Sequence, residues 1–263
     1  MTADERLAGA KLKAQWAELH IGNAEQVISK FLAPHPYKVG TKHDPQARQW
    51  RYYLVKAASP PAALSLIIGD ALFNLRSALD HLAQQFYLLG TGSATSARHV
   101  AFPIWGDATK YATESPRQVK GMRQDAIDFL NAAKPYKGGN DALWRLNELN
   151  NIDKHRLLIT VGGAFGTLTM PAEMRADLGK TLGIDLSKQR IVGRMANTKC
   201  PLKTGDVLVT FAVDAEPDLN MEFGFDVSLL EPGILESQPI GVVLRELAHT
   251  VNSILDLARP LLA

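Results

Sequence analysis

Hydrophobic spacing along the chain divides it into a helical majority and a β-rich late segment. Leu7, Leu12, Trp16, Leu19, Ala24, Val27 and Leu32 recur near the helical period over residues 3 to 33, and Pro34 and Pro36 end that run. Residues 36 to 57 read as a β-hairpin. Tyr37-Lys38-Val39 is one arm and Gln49 to Val55 the other, with Asp44-Pro45 in the turn. Pro60-Pro61 opens a helix from about Ala62 to Leu89, with Gly90 placed just past its end. A loop with a short extended piece, Val100 to Ile104, leads to a helix from Pro116 to Ala133. Asn140 then caps a helix from Ala142 to about Leu157.

Beyond that point the pattern alternates. Strands are expected at 158–161, 167–170, 190–192, 207–213 and 221–227. Gly162 to Gly166 reads as a turn between two of them, because its glycine spacing does not fit a dinucleotide loop. A last helix from about Pro239 to Arg259 buries Val243, Leu247, Val251, Ile254 and Ala258. Helices and strands are segregated, which predicts an α+β fold and argues against a parallel βαβ sheet. The expected organisation is a single α+β domain over 1–263. Its helical core comes from 3–33, 62–90, 116–157 and 239–259, joined by an N-terminal hairpin and a β-rich insertion over 158–232.

The helix beginning near Ala62 changes this picture, because polar residues interrupt its apolar surface. At about 100° per residue, Asp70, Asn74, Ser77 and His81 fall on one line, which Gln84 and Gln85 extend. Ala71, Leu75, Ala78 and Leu82 form the apolar centre. Arg76 and Asp80 lie on a third face, spaced to pair as i, i+4. Polar groups on a buried helix need partners, water or a ligand. A satisfied interhelical network and a surface site with His81 as acid or base both meet that need. The later helix adds Asp153, Lys154, His155 and Arg156, with Asp153 inside the apolar arc of Ala142, Leu146, Leu149 and Ile152. A carboxylate facing a core calls for a donating partner, and Arg76 is the expected one, with Asn74 or His81 next. Lys154 and His155 also fit a basic last turn that meets the helix dipole.

Bulk properties narrow the function classes only a little. Net charge is +2 from 29 basic and 27 acidic residues, so composition carries no nucleic-acid or membrane footprint. One cysteine, Cys200, rules out an intrachain disulfide and fits a reducing compartment. Between Lys199 and Pro201 it reads as incidental rather than nucleophilic. The charged amphipathic opening lacks the apolar core of a signal peptide, and the most apolar stretch is too short to span a bilayer. A cytoplasmic location and no membrane partner are therefore expected.

Arg76-Ser77-Ala78-Leu79-Asp80-His81, an Arg followed after four residues by a His on a helix, resembles the signature of the HEPN superfamily. The wider pair of segments, Asn74 to Leu82 and Ile152 to Arg156, resembles a group of uncharacterised bacterial proteins that brings no activity with it. The HEPN resemblance implies a compact helical bundle and a metal-independent endoribonuclease, acting on RNA in a toxin or phage-defence role, with its site formed across a homodimer. It implies Arg76 and His81 as the catalytic pair, His81 moving the proton of the 2′-hydroxyl and Arg76 holding the scissile phosphate. Asn74, Ser77, Asp80, Asp70, Asp153, Lys154 and His155 are the supporting residues, with no cofactor and no metal. Ser77 departs from the family, which often carries Asn, Asp or His after the Arg, and the β-rich half is not part of the bare helical pattern.

Two alternatives stand beside it. One is a non-catalytic HEPN-like module that binds nucleotide or protein and carries a structural polar network. The other is a metal-binding helical bundle using His81, His155, Asp70, Asp80 and Asp153, with Glu246 and His249 as an i, i+3 pair.

Overall fold

The computed structural model describes residues 1–47, 49–93, 99–164, 168–169, 180, 192–193, 201–212, 223–235 and 238–263. Six helices and small antiparallel sheets make up a mixed α+β fold among these residues. Cys200, and parts of the strands expected at 167–170, 190–192, 207–213 and 221–227, lie outside them.

Helix α1 (Ala3–Leu32) starts at a capping box. The Glu5 amide donates to Thr2 Oγ1, and the Thr2 amide donates to Glu5 Oε2 at 2.7 Å. Its buried stripe is Leu7, Ala10, Ala14, Ala17, Ile21, Ala24 and Ile28. Leu12, Trp16 and Leu19, expected in that stripe, are exposed instead. The helix carries two apolar stripes on opposite faces, and the core takes the alanine-rich one. Small side chains let a neighbouring helix come close, so contact area outweighs side-chain size.

Strands β1 (Tyr37–Asp44) and β2 (Gln49–Ala57) form the expected hairpin, closed where the Ala47 amide donates to Asp44 Oδ1. Helix α2 (Ala63–Thr91) follows, packed along α1. It runs past Gly90 and ends at Gly92, whose φ of +69° is the left-handed cap conformation. Gly90 serves a different purpose: a Cβ there would strike the Gly121 carbonyl, so its glycine permits a close approach of chain.

The helix expected over 116–133 is two helices, α3 (Ala108–Gln118) and α4 (Gln124–Ala132). Asp107 caps α3 by accepting from the Lys110 amide at 2.8 Å, which sets the start well before Pro116. Pro116 sits in the last turn of α3, and Gly121, at φ +95°, separates the two helices. Asn140 caps α5 (Asp141–His155) as expected, accepting from the Leu143 amide.

Strand β3 (Thr160–Ala164) contains Gly162 and Gly163, which the sequence places in a turn. They fit a strand because the Tyr37 hydroxyl occupies the space where a Gly162 Cβ would stand. Strands β4 (Leu168–Thr169) and β5 (Val192–Gly193) pair with each other. Strand β6 (Val207–Ala212) pairs antiparallel with β2, giving the order β1-β2-β6. Strand β7 (Phe225–Leu229) pairs with β3. The hairpin thus takes one late strand, β6, into its sheet, while among the described residues β3–β7 and β4–β5 are two-stranded sheets of their own. Helix α6 (Ile240–Ala258) buries the expected stripe and runs into a 3-10 turn at Arg259–Leu262 that holds Pro260.

Residues of α1, α2, α5 and α6 share one large apolar core with Phe86 and Phe102 among its fully buried side chains. A smaller cluster of Tyr37, Leu54, Leu202 and Leu208 backs the three-stranded sheet. Arg245 of α6 donates to Glu18 and Glu25 of α1, and Arg259 donates to Asp4, fixing α6 along α1. Among the described residues, no helix is long and apolar enough to cross a membrane.

Candidate functional site

Helix α2 carries its polar residues on two flanks that face different neighbours. Arg76 lies on the flank toward the segment 100–104. Its side chain is only 11% exposed. Nη2 donates to the Phe102 carbonyl at 2.8 Å, and Nη1 stands 2.8 Å from Asp80 Oδ1. Asp80 Oδ1 in turn accepts from the Phe102 amide at 2.9 Å. One ion pair therefore grips both backbone polar groups of a single residue, whose ring is fully buried in the core. The i, i+4 spacing of the pair supplies this geometry directly. Burial draws the Arg76 guanidinium below its ordinary range, and the Asp80 charge opposes that pull.

Asp153 is not the partner of Arg76. Its carboxylate packs on Gly69 of α2, in the space a Cβ would fill. Burial, and after it the charge of Asp70, raises its pKa above the usual carboxylate range. The expectation of an Arg76–Asp153 pair fails because Gly69, where Asp153 packs, lies about 10 Å, two turns, from Arg76 along the same strip of α2, and Arg76 is already taken by Asp80.

The opposite flank of α2 meets α1. Asn74 is buried there. Its Nδ2 donates to the Asp70 carbonyl at 2.8 Å, and its Oδ1 accepts from Lys13 Nζ at 3.1 Å. Lys13 also lies 5.4 Å from the centre of the Phe73 ring, a cation–π arrangement. His81 is exposed and lies over Gly9 of α1, where a Cβ would press on its Nδ1. Ser77 is half-buried between them, and Asp70 is exposed. The line Asp70, Asn74, Ser77, His81 thus runs along the α1–α2 seam. Lys13 joins it across the seam, and nothing in the sequence spacing could have paired a residue of α1 with it.

Arg76 and His81 are about 140° apart around α2, and the fold does not bring them together. Lys154 and His155 are exposed at the end of α5, with Lys154 donating to Asn151, as a solvated helix end would have it. The residue after them was undervalued by sequence reasoning. Arg156 makes two hydrogen bonds, 3.1 and 2.7 Å, to Glu231, a carboxylate only 2% exposed that also accepts from the Ile159 amide. Trp144 is buried under the Lys137 ammonium.

Among the described residues, no three of His, Cys, Asp and Glu gather as a cluster that could hold a metal ion. Glu246 faces Arg145 at 3.8 Å. His249 lines a surface groove of about 580 Å³ with Phe129, Asn140 and Ile254, and none of the residues lining it comes from α2. Chemically, then, the Arg76 flank holds backbone. The seam offers solvent an imidazole, an ammonium and a carboxylate. No family model, no curated protein and no solved structure matches this chain.

Proposed function

We propose that this chain is a non-catalytic, HEPN-like helical module of the cytoplasm that works by binding protein, with α1, α2, α5 and α6 as its bundle. The observation carrying this reading is the commitment of Arg76. Its guanidinium donates through Nη2 to the Phe102 carbonyl and is ion-paired through Nη1 with Asp80, on the flank of α2 away from His81. A guanidinium that clamps backbone is not free to receive a phosphate, and turning it outward would leave the Phe102 carbonyl unpaired. The motif then serves the fold.

A second reading has one observation in its favour. His81 is exposed beside Lys13, Asn74 and Ser77, so a metal-independent endoribonuclease could use it with Lys13 in the phosphate-holding role. One experiment separates the two. The purified chain is incubated with mixed RNA in EDTA, beside His81→Ala. The non-catalytic reading expects no cleavage above background from either. Cleavage by the wild type that disappears in a folded His81→Ala variant overturns it and installs the nuclease.

A further inference from the structure

The groove beside His249 has the features of a small-molecule site. His249, Ser253 and Leu257 follow one another along α6 at i, i+4 and i+8, a strip about 12 Å long. The strip forms one side of the groove, whose volume of about 580 Å³ suits a small ligand. Phe129 of α4 and the buried Ile254 add apolar lining. Phe86 holds the Phe129 ring edge-on at 5.9 Å, so this wall has its shape before any ligand arrives. Leu257, at one end of the strip, is 69% exposed.

Polar groups in the lining are left unspent. Among the described residues, the His249 ring and the Ser253 hydroxyl have no hydrogen-bond partner. Asn140 Oδ1 accepts from the Leu143 amide at 3.2 Å, which fixes the orientation of the side-chain amide and leaves Nδ2 as a donor. An imidazole N–H, a hydroxyl and an amide nitrogen can therefore all donate into one groove. Asn140 also caps α5, so the positive end of a 15-residue helix stands at the same place.

We propose that this groove binds a small monocarboxylic acid with an apolar tail. The carboxylate takes the donors of His249, Ser253 and Asn140, and the tail runs past Phe129 and Ile254 toward Leu257. Charge selects this class of ligand. No carboxylate lines the groove to receive an amine. The two acids nearest in sequence are engaged elsewhere: Asp141 accepts from the Gly138 amide at 2.7 Å, and Glu246 faces Arg145 at 3.8 Å. No Lys or Arg lines the groove either, so a multiply charged phosphate would find no counter-charge. A wholly apolar ligand would cover the three donors and leave them unpaired. The groove shares no residue with α1 or α2, so this role is additional to the binding of protein and stands or falls separately from it.

The test is an NMR titration of the full, isotope-labelled chain with octanoate to about 10 mM, with octylammonium in a parallel series. Octanoate should bind with a dissociation constant of about 1 mM or below. Amide shifts should map to Phe129–Ala133, Asn140–Leu143 and His249–Leu257. Octylammonium should bind at least about tenfold more weakly, because it meets donors instead of acceptors. His249→Leu should weaken octanoate about tenfold by removing a donor. Leu257→Asp should weaken it at least as much by setting a carboxylate in the path of the tail. Both residues are exposed, so circular dichroism and melting temperature should hold. If Leu257→Asp does not fold, His249→Leu decides alone. The proposal is overturned by the absence of shifts at 10 mM octanoate, by shifts that lie outside the groove, by equal binding of octylammonium, or by a folded His249→Leu variant that binds octanoate like wild type.

Discussion

Removing one member of the Arg76–Asp80 pair should destabilise the fold, and the order of the effects follows from burial. Arg76 is 11% exposed and Asp80 38%. Asp80→Ala leaves a guanidinium enclosed without its counter-charge and strips the Phe102 amide of its acceptor. Loss of a buried partner costs about 3–5 kcal/mol. Arg76 keeps its bond to the Phe102 carbonyl, so we expect the lower end, about 3 kcal/mol. Arg76→Met retains the apolar stem and leaves Asp80, which water reaches. What is lost is mainly one charge-assisted bond to a carbonyl, about 2 kcal/mol. The double variant should lie within about 1 kcal/mol of Arg76→Met alone, because the second change removes a charge the first has already orphaned. Urea unfolding of the four proteins measures the cycle, and thermal melts should move by about 2–4 °C per kcal/mol. Amide exchange at Phe102 should speed up selectively in both single variants. If Asp80→Ala proves cheaper than Arg76→Met, or if both fall below about 0.5 kcal/mol, the clamp is not what holds the 100–104 segment.

Asp153 gives a pH test. Its pKa is raised by burial and by Asp70, so the folded state binds a proton more readily than the unfolded chain does. Stability attached to this group is therefore present below the unfolded value and is lost as pH rises through the folded one. Asp153→Asn should melt higher than wild type at pH 7, with the gap closing as pH falls into the ordinary carboxylate range. A gap that widens on acidification contradicts the assignment. Glu231→Ala should cost about 2–3 kcal/mol, since it removes a buried acceptor from Arg156 and from the Ile159 amide. The exposed Arg156 can rehydrate, so Arg156→Ala should be less damaging only if Ile159 keeps Glu231 satisfied; chemical denaturation of the two variants shows which group dominates.

Local chemistry made much of this protein legible in its sequence. Asn140 marks a helix start through a bond that spans three residues. The hairpin turn at Asp44 closes in the same way. The last helix shows a single apolar stripe, so its buried face could be read without its neighbours. The Arg76–Asp80 pair belongs here too, since i, i+4 spacing on a helix needs no tertiary knowledge. Polar residues on α2 could likewise be divided into two flanks by rotation alone.

Choices between alternatives of similar local merit needed the tertiary structure. Helix α1 offers two apolar stripes, and the alanine face is buried because close helix approach gains contact along its whole length. Gly90 and Gly162 look like punctuation, yet each lies inside an element because another part of the chain passes where its Cβ would be. Strand β6 reaches β2 from more than 150 residues away, a pairing no local pattern encodes. The same holds for Lys13 on Asn74, Gly9 under His81 and Glu231 on Arg156. Sequence fixes which side chains can act together along one helix. Which flank meets backbone, which meets a neighbouring helix and which is left to solvent is settled only when the elements pack, because those contacts depend on distances that spacing along the chain does not contain.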